Sequence, residues 1–209
     1  EAFGARDWNG AGVAINELKT LENFAFMQPF LEAWIDTAKG RDATASLLRA
    51  QADSTSRYYL EEQSILNKLA SREEGEAVAL LIGLVQRDDS RSAPIRLMAA
   101  RHFWAIDDLA TAKDILKSQS TEPEQKLLQQ IESGQKKVVA QKVTPPIGLA
   151  FLFQRLSSDL ASQRAQFPAQ VMAEIGARIA GDSDYAYLTL GLTYAVAEKY
   201  GLAVSELER

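Results

Sequence analysis

Apolar side chains recur along this chain at intervals of three and four and nowhere in a sustained alternation of two, so the fold open to it is helical. In Ile95-Arg96-Leu97-Met98-Ala99-Ala100-Arg101-His102-Phe103-Trp104 the spacing is that of one helix face. Gly and Pro, 18 residues together, fall mostly between such segments. Helix starts are signalled by Thr121 with Glu124 three residues on, by Asp182 or Ser183 ahead of Tyr185, and by Pro123, Pro146 and Pro168 in first-turn contexts. Gly40, Gly134, Gly181 and Gly201 are the expected helix stops. The nearest approach to a strand, Val138 to Val143, is short, basic and isolated. The expected class is all-α.

Composition narrows the functions. With 46% hydrophobic and 24% charged residues over 209 positions, the chain has the means to bury a sizeable core. A net charge of −5 argues against a sequence-independent grip on nucleic-acid phosphates and against docking on an anionic membrane. With no cysteine, disulfides, thiolate metal sites and cysteine nucleophiles are excluded. No apolar run approaches the roughly 18 residues a spanning helix needs. The first residue is Glu1 rather than methionine, so a cut or processed chain is expected, and the missing part is where a targeting segment would have stood.

Repetition is the next constraint. In Tyr187-Leu188-Thr189-Leu190-Gly191-Leu192-Thr193-Tyr194, the residues Tyr187, Leu190, Gly191 and Tyr194 share one helix face. Tyr200, Ala203 and Leu207 lie on the facing side of a second helix, and Gly191 lets the two approach closely. This order of large, Leu, Gly, Tyr, Tyr, Ala and Leu resembles the tetratricopeptide repeat, with Glu198 standing where that family has a turn glycine. The template also falls on Ala100, Phe103, Leu109, Ala112 and Leu116, and its second helix on Trp8, Ala11, Ile15 and Leu18. Second-helix alanines then read Ala11, Ala45, Ala77 and Ala112, separated by 34, 32 and 35 residues. Twelve residues before the last three stand Ala33, Ile65 and Ala100, the crossing positions, of which Ile65 fits poorly. From Ala112 to Ala203 is 91 residues, so the stretch near 121–183 breaks the period.

The resemblance implies stacked antiparallel helix pairs in a right-handed α-solenoid, a fragment of a longer repeat protein because both ends cut through a repeat. The pattern is similar to exported tetratricopeptide proteins of Gram-negative, particularly alphaproteobacterial, bacteria, which implies a periplasmic or envelope setting. The expected organisation is degenerate repeats over 1–133, a linker at 134–146 carrying Lys136, Lys137, Lys142, Pro145 and Pro146, and further repeats over 147–209. The apolar segment Ile147 to Phe153 should be buried all round.

Catalytic chemistry finds no support. His102 is the one histidine, and no His-rich metal spacing exists. Asp88-Asp89, Asp107-Asp108 and Asp182-Ser183-Asp184 sit at helix ends, where capping explains them without a metal. Glu73-Glu74-Gly75-Glu76 reads as a solvated turn. Glu132-Ser133 resembles the acid–serine pair of helical peptidoglycan lyases but lacks the rest of that motif. No nucleophile elbow or phosphate-binding glycine loop occurs, so neither catalytic residues nor a cofactor are expected.

Binding remains. In a tetratricopeptide stack the first helices line a concave groove, which implies Leu97, Arg101 and Trp104 from one unit and Tyr185, Leu188, Leu192 and Ala195 from the last. The expected function is a non-catalytic scaffold for a protein or peptide segment. The alternatives are the accessory helical region of a larger envelope enzyme and a structural protein that self-assembles through uncapped ends.

Overall fold

The computed structural model describes residues 5, 7–18, 22–85, 91–117, 121–134, 140–181, 190, 191, 193–195 and 199–208. All regular structure among them is helical. The helices are α1 (Trp8–Leu18), α2 (Gln28–Ala38), α3 (Thr44–Arg49), α4 (Ser54–Ala70), α5 (Glu74–Val85), α6 (Ala93–Ala105), α7 (Leu109–Leu116), α8 (Glu122–Glu132), α9 (Pro145–Ser162), α10 (Gln166–Ala180) and α11 (Tyr200–Leu207). Short 3-10 turns precede α2 and follow α3. Val138 and Val139 lie outside the described residues, and 140–144 carry no regular structure. None of the described helices is long and apolar enough to cross a membrane.

Helix starts follow the sequence signals, with one change of chemistry. Pro123 stands in the first turn of α8, and Pro145 and Pro146 open α9. Asp108 Oδ1 accepts the Thr111 N–H at 3.1 Å, which makes the Asp107-Asp108 pair a cap. Thr121 occupies the cap position of α8, but its hydroxyl donates to Glu124 Oε2 instead of receiving a backbone N–H. Glu124 is meanwhile drawn inward to Arg96. Asp182 and Ser183, expected to start a helix, are outside the described residues.

Helix stops repeat one device. After α2, α4, α6 and α9 the second residue past the helix end is left-handed: Gly40 at φ 68°, Arg72 at 64°, Asp107 at 69° and Arg164 at 63°. The next N–H closes the turn on a carbonyl five residues back, from Arg41 to Asp36, Glu73 to Lys68, Asp108 to Phe103 and Ala165 to Leu160, at 2.8–2.9 Å. These are Schellman closures, and they use carbonyls that the helix itself leaves open. Only Gly40 is a glycine. Gly134 and Gly181 also take positive φ after α8 and α10, whereas Gly201, expected as a stop, lies inside α11. Its helical conformation follows from the α11 start at Tyr200. Arg164 is exposed, so Arg164→Gly removes a left-handed penalty at little other cost. It should raise stability by about 0.5–1 kcal/mol, read as a higher thermal midpoint.

The chain forms two compact units, residues 1–59 with 145–209, and residues 60–144, the division falling within α4. In the first unit α2 packs on α1, α3 and α9, and α9 packs on α10. Residues Ile147 to Ser157 of α9 are all buried, as its apolar circumference requires. Ala173, Leu190, Tyr194 and Ala203 form a smaller cluster. A Cβ on Gly191 would lie 2.6 Å from Leu207 Cγ, so this glycine does mark a close helix crossing.

In the second unit α6 is enclosed by α5, α7, α8 and the 140–144 segment. Ala77, Ile65, Ala100 and Ala112 are 0% exposed. In the first unit Ala11 and Ala33 are buried likewise, but Ala45 is exposed. The six-residue α3 turns Ser46 and Leu47 inward instead, with Ala50 following.

Candidate functional site

Of the residues expected to line a groove, Leu97, Arg101 and Trp104 all stand on α6. Leu97 and Arg101, one helical turn apart on α6, are half-buried. Trp104 is 2% exposed and belongs to the core. Tyr185, Leu188 and Leu192 lie outside the described residues, and Ala195 is half-buried. His102 is buried, and Glu132 is exposed at the end of α8 instead of sitting in an apolar pocket. Among the described residues no three His, Cys, Asp or Glu side chains converge as a metal site. Asp88, Asp89, Asp182 and Asp184 are outside that set.

An open cleft of about 450 Å³ occurs instead in the first unit, between α1, α2 and α3. Its floor is apolar: Ile15 and Ile35 are 3% and 6% exposed. Trp8, Gly12 and Val13 of α1 form one side. The opposite wall is polar because Glu32 and Asp36 fall on one face of α2, four residues apart, with Lys39 just past its end. The α2–α3 turn and α3 then bring Arg41, Ser46 and Arg49 alongside.

Gln28, Glu32, Arg49, Ser46, Asp36 and Arg41 form one continuous network. Gln28 Nε2 donates to Glu32 Oε1 at 2.6 Å, and Arg49 Nη2 donates to Glu32 Oε2. Arg49 Nη2 also reaches Ser46 Oγ at 3.2 Å, and Ser46 Oγ donates to Asp36 Oδ2 at 3.1 Å. Arg41 Nη2 closes the row on Asp36 Oδ1 at 2.5 Å. Lys39 Nζ crosses to Asn9 Oδ1 of α1 at 2.9 Å.

The inventory of donors and acceptors is uneven. Every oxygen of Glu32 and Asp36 is engaged, whereas each arginine commits one nitrogen of a group with five N–H donors. The arginine side chains are 58% and 55% exposed, so these pairs add little stability. They do hold the guanidinium groups in place over the apolar floor. The cleft is therefore suited to a ligand that brings acceptors and an apolar body. Sequence reading did not find it, since Glu32 and Asp36 meet partners 17 and 5 residues on through two turns of chain.

No family model, curated protein or solved structure matches the chain.

Proposed function

We propose that the chain is a non-catalytic scaffold of stacked helix pairs, tetratricopeptide-like, that holds an extended acidic segment of a protein partner in the cleft between α1, α2 and α3. The observation that carries this reading is the donor-rich wall of Arg41, Arg49 and Lys39 above the Ile15–Ile35 floor. Spent carboxylates behind spare guanidinium donors favour a carboxylate side chain or main-chain carbonyls over a cation. The volume lies within the range of ligand-sized sites and suits a few residues of extended chain.

The test is fluorescence anisotropy with extended acidic peptides and their Asn/Gln counterparts. Charge-assisted hydrogen bonds contribute about 1.5–3 kcal/mol each, so Arg49→Glu should weaken an acidic peptide about 10- to 100-fold. Added salt should weaken binding in the parent and much less in the variant. Equal affinity for acidic and amide peptides, or an Arg49→Glu variant that binds as the parent does, would refute the reading.

A second reading, self-association, draws on α11, where Leu202, Val204 and Leu207 are each at least 50% exposed. Sedimentation of the full chain separates the two, since a monomer that binds acidic peptides leaves only the first.

A further inference from the structure

The chain has a single histidine, and it is used in a way that no binding role explains. His102 of α6 is 3% exposed. Its Nδ1 accepts the Val143 N–H at 3.0 Å, across 41 residues of chain. A neutral imidazole that accepts at Nδ1 carries its proton on Nε2. That nitrogen has no hydrogen-bond partner, and the nearest carboxylate oxygen, Glu74 Oε1 at the start of α5, is 3.9 Å away. The Phe103 ring lies edge-on at 5.6 Å.

The bond to Val143 anchors an irregular segment. Residues 140–144 have no helix or strand to hold them. They are fixed to α6 by that bond, by the Gln141 N–H to the Arg101 carbonyl at 3.3 Å, and by the Val143 side chain, which is 4% exposed. An imidazolium has no acceptor. Protonated at Nδ1, His102 would set one N–H against another where the bond now stands.

We propose that His102 is a proton-operated latch, which when neutral holds the 140–144 segment on α6 and when protonated lets it go. Two charged groups act on the ring: Glu74 favours the imidazolium and Lys142 opposes it. Burial outweighs both and lowers the imidazole from its ordinary 6.5. With the folded value depressed, the latch is fully closed above 6.5 and is lost as pH falls from there through the folded value.

Amide hydrogen exchange tests the latch, with protection compared at pH 7.5 and 5.0 after correction for intrinsic rates. In the parent, Val143 should lose about fivefold more protection than the α6 amides, the change that loss of one net hydrogen bond brings. In His102→Asn, whose Oδ1 stands near the Nδ1 position and does not titrate, Val143 protection should not depend on pH. Protection at Val143 that follows α6 in the parent, or falls equally in His102→Asn, would overturn the proposal. Should that variant fail to fold, nitrogen NMR of the parent's one imidazole decides alone. An Nε2–H tautomer at pH 7.5, with imidazole and Val143 amide titrating at one midpoint, supports the latch. An Nδ1–H tautomer, or two separate midpoints, overturns it. Glu74→Gln should move the shared midpoint to lower pH, because it removes the charge that favours the imidazolium.

Discussion

Glu124→Ala should cost about 3–5 kcal/mol of stability, read from urea unfolding and from faster exchange of the α6 amides. The reason is where the carboxylate stands. Arg96 Nε donates to Glu124 Oε1 at 2.7 Å, and both side chains are 0% exposed. Thr121 Oγ1 engages the other oxygen. Taking either charge out of water is unfavourable by several kcal/mol, which the partner's charge offsets. Removing Glu124 leaves a guanidinium in the core without that counter-charge, since the Arg96 side chain is 0% exposed.

The double change Arg96→Met with Glu124→Leu separates pairing from packing. It removes both charges and restores apolar volume, so it should lie within about 1 kcal/mol of the parent or above it. A single change costing under about 1 kcal/mol would mean that Arg96 reaches water when its partner is lost. Exposed pairs mark the contrast. Arg41–Asp36 and Lys68–Glu76 have one member more than half exposed, and breaking either should cost no more than about 1 kcal/mol.

The same pair shows where sequence reading reaches and where it stops. Helical class was legible because it rests on local spacing, and the Gly191 crossing was legible because a small residue must face large ones such as Leu207. Gly40 was legible as a turn, but Arg72, Asp107 and Arg164 were not. Their left-handed backbone is imposed by the closing hydrogen bonds and is not announced by the residue type. Trp104 reads as a groove residue from the repeat pattern alone, which does not show what covers a side chain, and it is buried. Arg96 and His102 on the same helix meet their partners Glu124 and Val143 from 28 and 41 residues away. The cleft depends on three helices at once, and the joining of 1–59 with 145–209 leaves no change of composition at Tyr59. Contacts of that range have no local signature.

Gly148→Ala should be the most damaging single methyl in the first unit. An added Cβ would lie 2.0 Å from Cη2 and 2.3 Å from Cζ2 of Trp34, an indole that is 1% exposed. Neither side has room to give. Gly148 lies in the fully buried part of α9, and α10 closes behind it, where a Cβ on Gly176 would already stand 3.2 Å from the Ala150 carbonyl oxygen. The helix and the indole must therefore separate by more than an ångström, which opens gaps along the whole α2–α9 contact. Overpacking of this severity costs about 3 kcal/mol, the upper end of the usual range, and circular dichroism during urea unfolding would record it. Trp34→Phe removes the part of the ring that the methyl strikes. Alone it destabilises by leaving a cavity, but combined with Gly148→Ala the total should be well below the sum of the two. Strict additivity would place the damage of Gly148→Ala elsewhere than at Trp34. A single change that costs under about 0.5 kcal/mol would mean that α2 and α9 do not meet this closely.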